Sequence, residues 1–275
     1  MKKKFLVICT AVCFSAATMA QTNTTLNLSK GQKYQVDNKL VTASSTDVQG
    51  QTMESKADVT STYTIEVKDK KAGNYNLTNT LSHLLMNMSM MGQEVNFDSD
   101  KKEDMDGEMG SSLKGYINQP KDIVIDNAGK VVSMSTDSAE SEILKQLHLA
   151  STGYGSQMAF AALPRHPKVG STWSESTDDS TIKRTTNYTI KSIDGNVATV
   201  AFTGTMESNV QMEKQGMEIS TKSSGKFSGE EKVDVKTGVV QSNNSTTDAK
   251  GTVNAMGQEF PVTVNVVPTT TVKAL

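Results

Sequence analysis

The sequence predicts an all-β protein with a minor helical component. It would be built either as two duplicated antiparallel half-barrels or as one long curved sheet, with one or two helices between the halves. Three observations predict this. Apolar residues recur at every second position, as in Tyr63, Ile65, Val67 and again in Ala198, Val200, Phe202, the period of a half-buried strand. Turn signals such as Lys70-Lys71-Ala72-Gly73-Asn74 and Asp194-Gly195-Asn196 punctuate these runs, where glycine supplies the positive φ of a tight hairpin. The features before Leu163 also recur, in the same order, after it.

Residues 1–20 read as an export signal. Lys2, Lys3 and Lys4 precede the apolar stretch Phe5–Ala17, and Thr18-Met19-Ala20 places small residues at a cleavage site before Gln21. That stretch is shorter than the roughly 20 residues of a membrane span, and no later segment is more apolar. The expected location is the periplasm or the extracellular space. Both cysteines, Cys9 and Cys13, lie in this segment, so residues 21–275 carry no thiol chemistry and no disulfide. Loss of the three lysines takes the formal charge from −2 to −5. A mildly acidic, mixed surface argues against nucleic acid as a partner.

Beyond Gln21 the expected organisation is a first β-rich half (21–136), a helical connector (137–163) and a second β-rich half (164–275). In the first half, Leu26 and Leu28 alternate, then Gly31 turns the chain into Tyr34 and Val36. A long ribbon follows to Gly50 and returns through Val59–Val67. Tyr75 and Leu77 lead into the Leu81–Met91 run, which Gly92 turns back through Val95 and Phe97. Residues 98–112 break the alternation and read as a loop or short helix. Ile123 and Ile125 precede the Asp126-Asn127-Ala128-Gly129 turn.

Asp137 and Glu140 have capping-box spacing, and Ala139, Ile143, Leu144 and Leu147 share one helical face. A second helix is expected over Ser156–Leu163, stopped by Pro164. Trp173, the lone tryptophan, opens the strands of the second half and is expected to anchor its packing rather than stack on a ligand.

Four correspondences support an internal repeat. Lys30-Gly31-Gln32-Lys33-Tyr34 matches Val169-Gly170-Ser171-Thr172-Trp173, and Tyr63-Thr64-Ile65-Glu66 matches Tyr188-Thr189-Ile190-Lys191. Met91-Gly92-Gln93-Glu94 matches Gln215-Gly216-Met217-Glu218, and the turn after Asp126 matches the one after Asp234. The spacing between matches shrinks along the chain, so the first copy carries the longer insertions, at the Gly50 hairpin and at 98–112. Met256-Gly257-Gln258-Glu259 has no counterpart in the first copy.

The Leu163-Pro164 and Val169-Gly170-Ser171-Thr172-Trp173 element resembles one shared by a family of uncharacterised exported β-rich proteins of Gram-negative bacteria. The resemblance implies export and a two-half layout, and it brings no activity. By fold analogy, curved sheets of this kind are similar to the lipid-binding and lipoprotein-carrier half-barrels of the periplasm.

Leu84, Met86, Met88 and Met90 fall on one face of a strand and form the candidate ligand-binding wall, a flexible and polarizable surface suited to lipid-like molecules. The expected function is therefore binding of a hydrophobic small molecule or lipid in the concavity of a curved sheet. The alternative is a structural or assembly role through contacts with an envelope protein. No catalytic residue, cofactor or metal is expected. His83, His148 and His166 have no neighbouring acid or nucleophile in a recognised motif, and a copper(I) site on Met86 and Met88 lacks a second methionine or histidine cluster. The acidic run from Asp98 to Glu108 touches the EF-hand pattern but places Lys102 and Leu113 at essential ligand positions.

Overall fold

The computed structural model describes residues 26–48, 50–90, 93–135, 158–178, 181–214, 217–255 and 257–275. The expected export signal, the helix expected over Asp137–Leu147 and the turns expected at Gly92 and Gly216 lie outside the described residues. Within them, 12 strands form one open antiparallel sheet that does not close into a barrel. Of the two architectures the sequence allows, the chain adopts the single long sheet.

The strands are β1 (Lys33–Val48), β2 (Gln51–Lys71), β3 (Asn74–Met90), β4 (Gln93–Asp98), β5 (Pro120–Ile125), β6 (Val131–Met134), β7 (Thr172–Asp178), β8 (Ile182–Asp194), β9 (Val197–Lys214), β10 (Met217–Asp234), β11 (Val240–Ala255) and β12 (Gln258–Ala274). Helices α1 (Lys102–Asp106) and α2 (Glu108–Leu113) fill the break at 98–112. The spatial order is β6-β5-β3-β2-β1-β12-β11-β10-β9-β8-β7, with β4 on the far part of β3. Both edges therefore belong to the middle of the chain, and β1 and β12 pair at the centre.

The repeat is visible in the backbone. Gly31 N–H donates to Val67 O and Val67 N–H to Gln32 O; Gly170 N–H donates to Ile190 O and Ile190 N–H to Ser171 O. Bulges follow at equivalent places, between Val67 and Asp69 and between Ile190 and Ser192. Asp126 and Asp234 each accept two turn N–H groups on Oδ1, and Gly129 and Gly238 both take positive φ. Strands β1, β2 and β3 thus correspond to β7, β8 and β9, β4 and β5 together occupy the place of β10, β6 corresponds to β11, and β12 is the additional strand that joins the second copy to the first. The Tyr63/Tyr188 match slides by two residues, because Val67, not Ile65, is equivalent to Ile190. In a Thr-rich strand a two-residue slip keeps every side chain on its face, so the sequence echo survives the wrong register. The first copy is the longer one, as expected: β1 has 16 residues and β7 has 7.

Two hydrophobic clusters cover the same face of the sheet. The first gathers Val36, Ile65, Tyr75, Leu77 and Ile125 with Leu113 and Ile117 from the α2 region and Phe160 from the connector. The second gathers Ile190, Ala198, Val200, Val233 and Val240 with Leu163. Trp173 packs against it, its ring stacked on Tyr188 at 4.9 Å and 9°. Leu26 and Leu28 are buried but form no strand. Leu26 N–H donates to Asn127 O and Asn27 N–H to Thr237 O, so this segment staples the two equivalent turns together. The second expected helix ends earlier than Pro164: Met158 and Ala159 are helical, whereas Phe160 bridges Val239 and Ala161 N–H donates to Gly238 O.

Candidate functional site

The core-bearing face is concave, and glycine makes it so. A Cβ built on Gly251 would stand 2.1 Å from Lys222 O and 2.7 Å from Ser223 Cα. One on Gly225 would reach Ala249 Cβ at 2.8 Å, where facing residues of a flat pair keep Cβ atoms about 4.5–5.5 Å apart. Gly204 and Gly229 lie on this face too, each roofed by an aromatic ring, Phe227 over the first and Phe202 over the second. Neighbouring strands converge on the side where these side chains are missing, and the sheet bends toward it.

A cavity of about 1120 Å³ lies over the middle of the sheet. Ser55, Ser44, Val264, Ala249, Gly225 and Met206 line it and form one continuous cross-strand row over β2, β1, β12, β11, β10 and β9. Six neighbouring strands thus share one cavity. Its central side chains are small or apolar, while Glu54, Lys56, Glu207, Lys226, Asp248 and Lys250 alternate with that row along the strands and turn their side chains to the opposite face.

The expected wall is only partly exposed to a ligand. Leu84 and Met86 are fully buried in the first core. Met88 is half-buried on the core face; the second depression of about 480 Å³ beside it is bordered chiefly by Val41, Asp58, Asn87 and Asn96, consecutive cross-strand partners on the opposite face. Met90 ends β3, and its side chain lies outside the described residues. A bulge between Thr62 and Tyr63, opposite Ser82, keeps Leu84, Met86 and Met88 on the face of Leu77 and Leu81. Sequence reasoning missed the row at Ser44 and Ala249: small residues carry no hydrophobic signal, and only strand register brings four of them together with Val264 and Met206.

Deeper along the same strands runs a polar row: Ser61, Asn38, Thr270, Asn243 and Glu231 are consecutive cross-strand partners. Thr270 Oγ1 donates to Asn38 Oδ1 at 2.7 Å, and Asn243 Nδ2 donates to Glu231 Oε2 at 3.1 Å. Glu231 is 7% exposed. Burial pushes its carboxyl up to about 7; the Glu175 charge acts in the same direction, and the Asn243 amide and Arg184 oppose both. Unfolded, this group titrates near 4.5. Between those values the native state keeps a proton that the unfolded chain has lost. The group therefore costs nothing below pH 4.5 and destabilises increasingly as pH rises through 7. Glu231→Gln should match the wild type at pH 4 and exceed it by about 2–3 kcal/mol at pH 8, measured by denaturant titration. A pH-independent difference would remove the buried acid from this account.

The fold and cavity define a class, an open antiparallel sheet curled around a trough. The chain belongs to the family of unknown function DUF6263, whose profile matches residues 72–150 and 154–240. No curated protein matches it. Among solved structures, a lipovitellin chain described for its lipid–protein interactions aligns with a TM-score of 0.50 at 11% identity, over 90% of this chain. This chain spans 25% of that one, and the likeness is one of fold. An outer membrane channel from Pseudomonas putida F1 aligns over 90% of this chain and 97% of its own, at 8% identity and a TM-score of 0.25. No helix among the described residues is long and apolar enough to cross a membrane.

Proposed function

We propose that this protein is an exported binding module that holds a hydrophobic, lipid-like ligand in the trough of its curled sheet. The observation that carries the reading is the 1120 Å³ cavity over the Ser44–Val264–Ala249–Gly225 row. Its size lies just above the range for small-molecule sites, roughly 300–1,000 Å³. Small side chains on four of the six strands, with Val264 and Met206 on the other two, leave room for a flexible apolar chain. The fold likeness to lipovitellin, a protein described for its lipid interactions, supports the same reading.

Native mass spectrometry of the protein from its own host is the direct test. A reproducible added mass that organic solvent strips off is the expected result. Ser44→Trp fills the trough from the central strand; it should reduce uptake of an apolar fluorescent probe at least about tenfold, since the indole takes the ligand's volume, and leave the circular dichroism unchanged. A clean apo mass together with no probe uptake by the wild type would overturn the reading and leave the outer surface as the functional one.

A further inference from the structure

The convex face carries a second cluster, independent of the trough. His83 alternates with the buried Leu84 and so points away from the core. Its Nε2 lies 3.2 Å from Asp98 Oδ1 and 3.6 Å from Asp100 Oδ2, and the three ligand atoms all fall within 4.8 Å of one another. We propose that His83, Asp98 and Asp100 form a binding site for a divalent transition-metal ion, best matched by Zn²⁺.

The geometry suits that ion. Bonds of about 2.0–2.1 Å in a tetrahedron place neighbouring ligand atoms about 3.3–3.4 Å apart, between the two distances measured from His83. Imidazole nitrogen with two carboxylate oxygens is a zinc donor set, and two ionised carboxylates balance a dication. Calcium would need six to eight oxygens, and an imidazole offers none.

The three ligands come from both sides of one hairpin, and the backbone fixes their relation. Leu84 N–H donates to Ser99 Oγ and Ser99 N–H donates to Leu84 O, each at 2.9 Å, which clips the loop to β3 beside His83. Asp100 N–H donates to Asp98 Oδ1 at 3.0 Å, and Asp98 N–H to Asp104 Oδ2 at 2.8 Å. Asp104 is thereby engaged outside the cluster. Asp100 is 76% exposed along its side chain, so the fourth tetrahedral position faces water.

A protonated His83 shared between two carboxylates would give the same distances without a metal. Zinc titration of the chelator-treated protein by calorimetry separates the two. The expected result is one saturable site that His83→Ala and Asp98→Asn each weaken at least about tenfold, as ligand loss does at a three-residue site. Asp100→Asn, too exposed to disturb folding, should weaken it measurably. Glu103→Gln and His166→Ala should stay within about twofold of the wild type. Cobalt substitution should give the visible bands of a four-coordinate nitrogen–oxygen site. Zinc uptake indifferent to His83 and Asp98, no saturable uptake below about 100 μM, or calcium binding of equal strength would each overturn the proposal.

Discussion

Met86→Asp should abolish the folded state. The side chain is fully buried between Val59 on β2 and Phe97 on β4, its cross-strand partners in the first core. A carboxylate there has no hydrogen-bond partner and no route to water, and the penalty of several kcal/mol is comparable with the whole stability of a domain, about 5–15 kcal/mol. Loss of the cooperative denaturation transition is the expected reading. Met88→Asp, two residues along on the same face, is the matched comparison. Met88 is only half-buried, so a carboxylate there can reach water, and the variant should remain folded. If both variants fold equally well, the first core does not extend to Met86.

The second large effect is at Gly251. An alanine Cβ would meet Lys222 O and Ser223 Cα of β10. Both obstacles are backbone, so no side-chain rotation relieves them, and the β10–β11 pair must open or flatten. Gly251→Ala should cost about 3 kcal/mol or more, the upper range for overpacking and strain. It should also diminish probe uptake, because the bend that makes the trough begins there. Gly115 is the control: nothing lies within 4 Å of its added Cβ, and its φ is not positive, so Gly115→Ala should be neutral within about 0.5 kcal/mol. Equal effects at the two positions would sever curvature from glycine.

The strands were legible because period-two alternation and glycine turns are local signals. Val59 to Val67 and Ala198 to Phe202 could be placed on a face before any partner was known. The extra strand after Gly257 and the insertion at 98–112 were legible from the repeat. What covers a face was not. Leu84 and Met86 share the periodicity of an open wall, yet residues far along the chain, Phe97, Leu113 and Ile117, bury that part of it. Cross-strand chemistry was equally hidden. His83 and Asp98 are fifteen residues apart, and only the hairpin register and the β3 bulge bring them together.

The pairing of β1 with β12 also has a kinetic side. Asn38 and Thr270, hydrogen-bonded at the middle of the sheet, are separated by 232 residues. Such contacts form late, because closing so long a loop sacrifices chain entropy before any bond is gained. Until the 17 residues of β12 arrive, β1 and β11 each present a long unpaired flank, a template for pairing with another molecule. The nascent protein is thus most exposed to aggregation in the interval before its last strand docks, and each half completes its sheet only when the two ends of the chain meet.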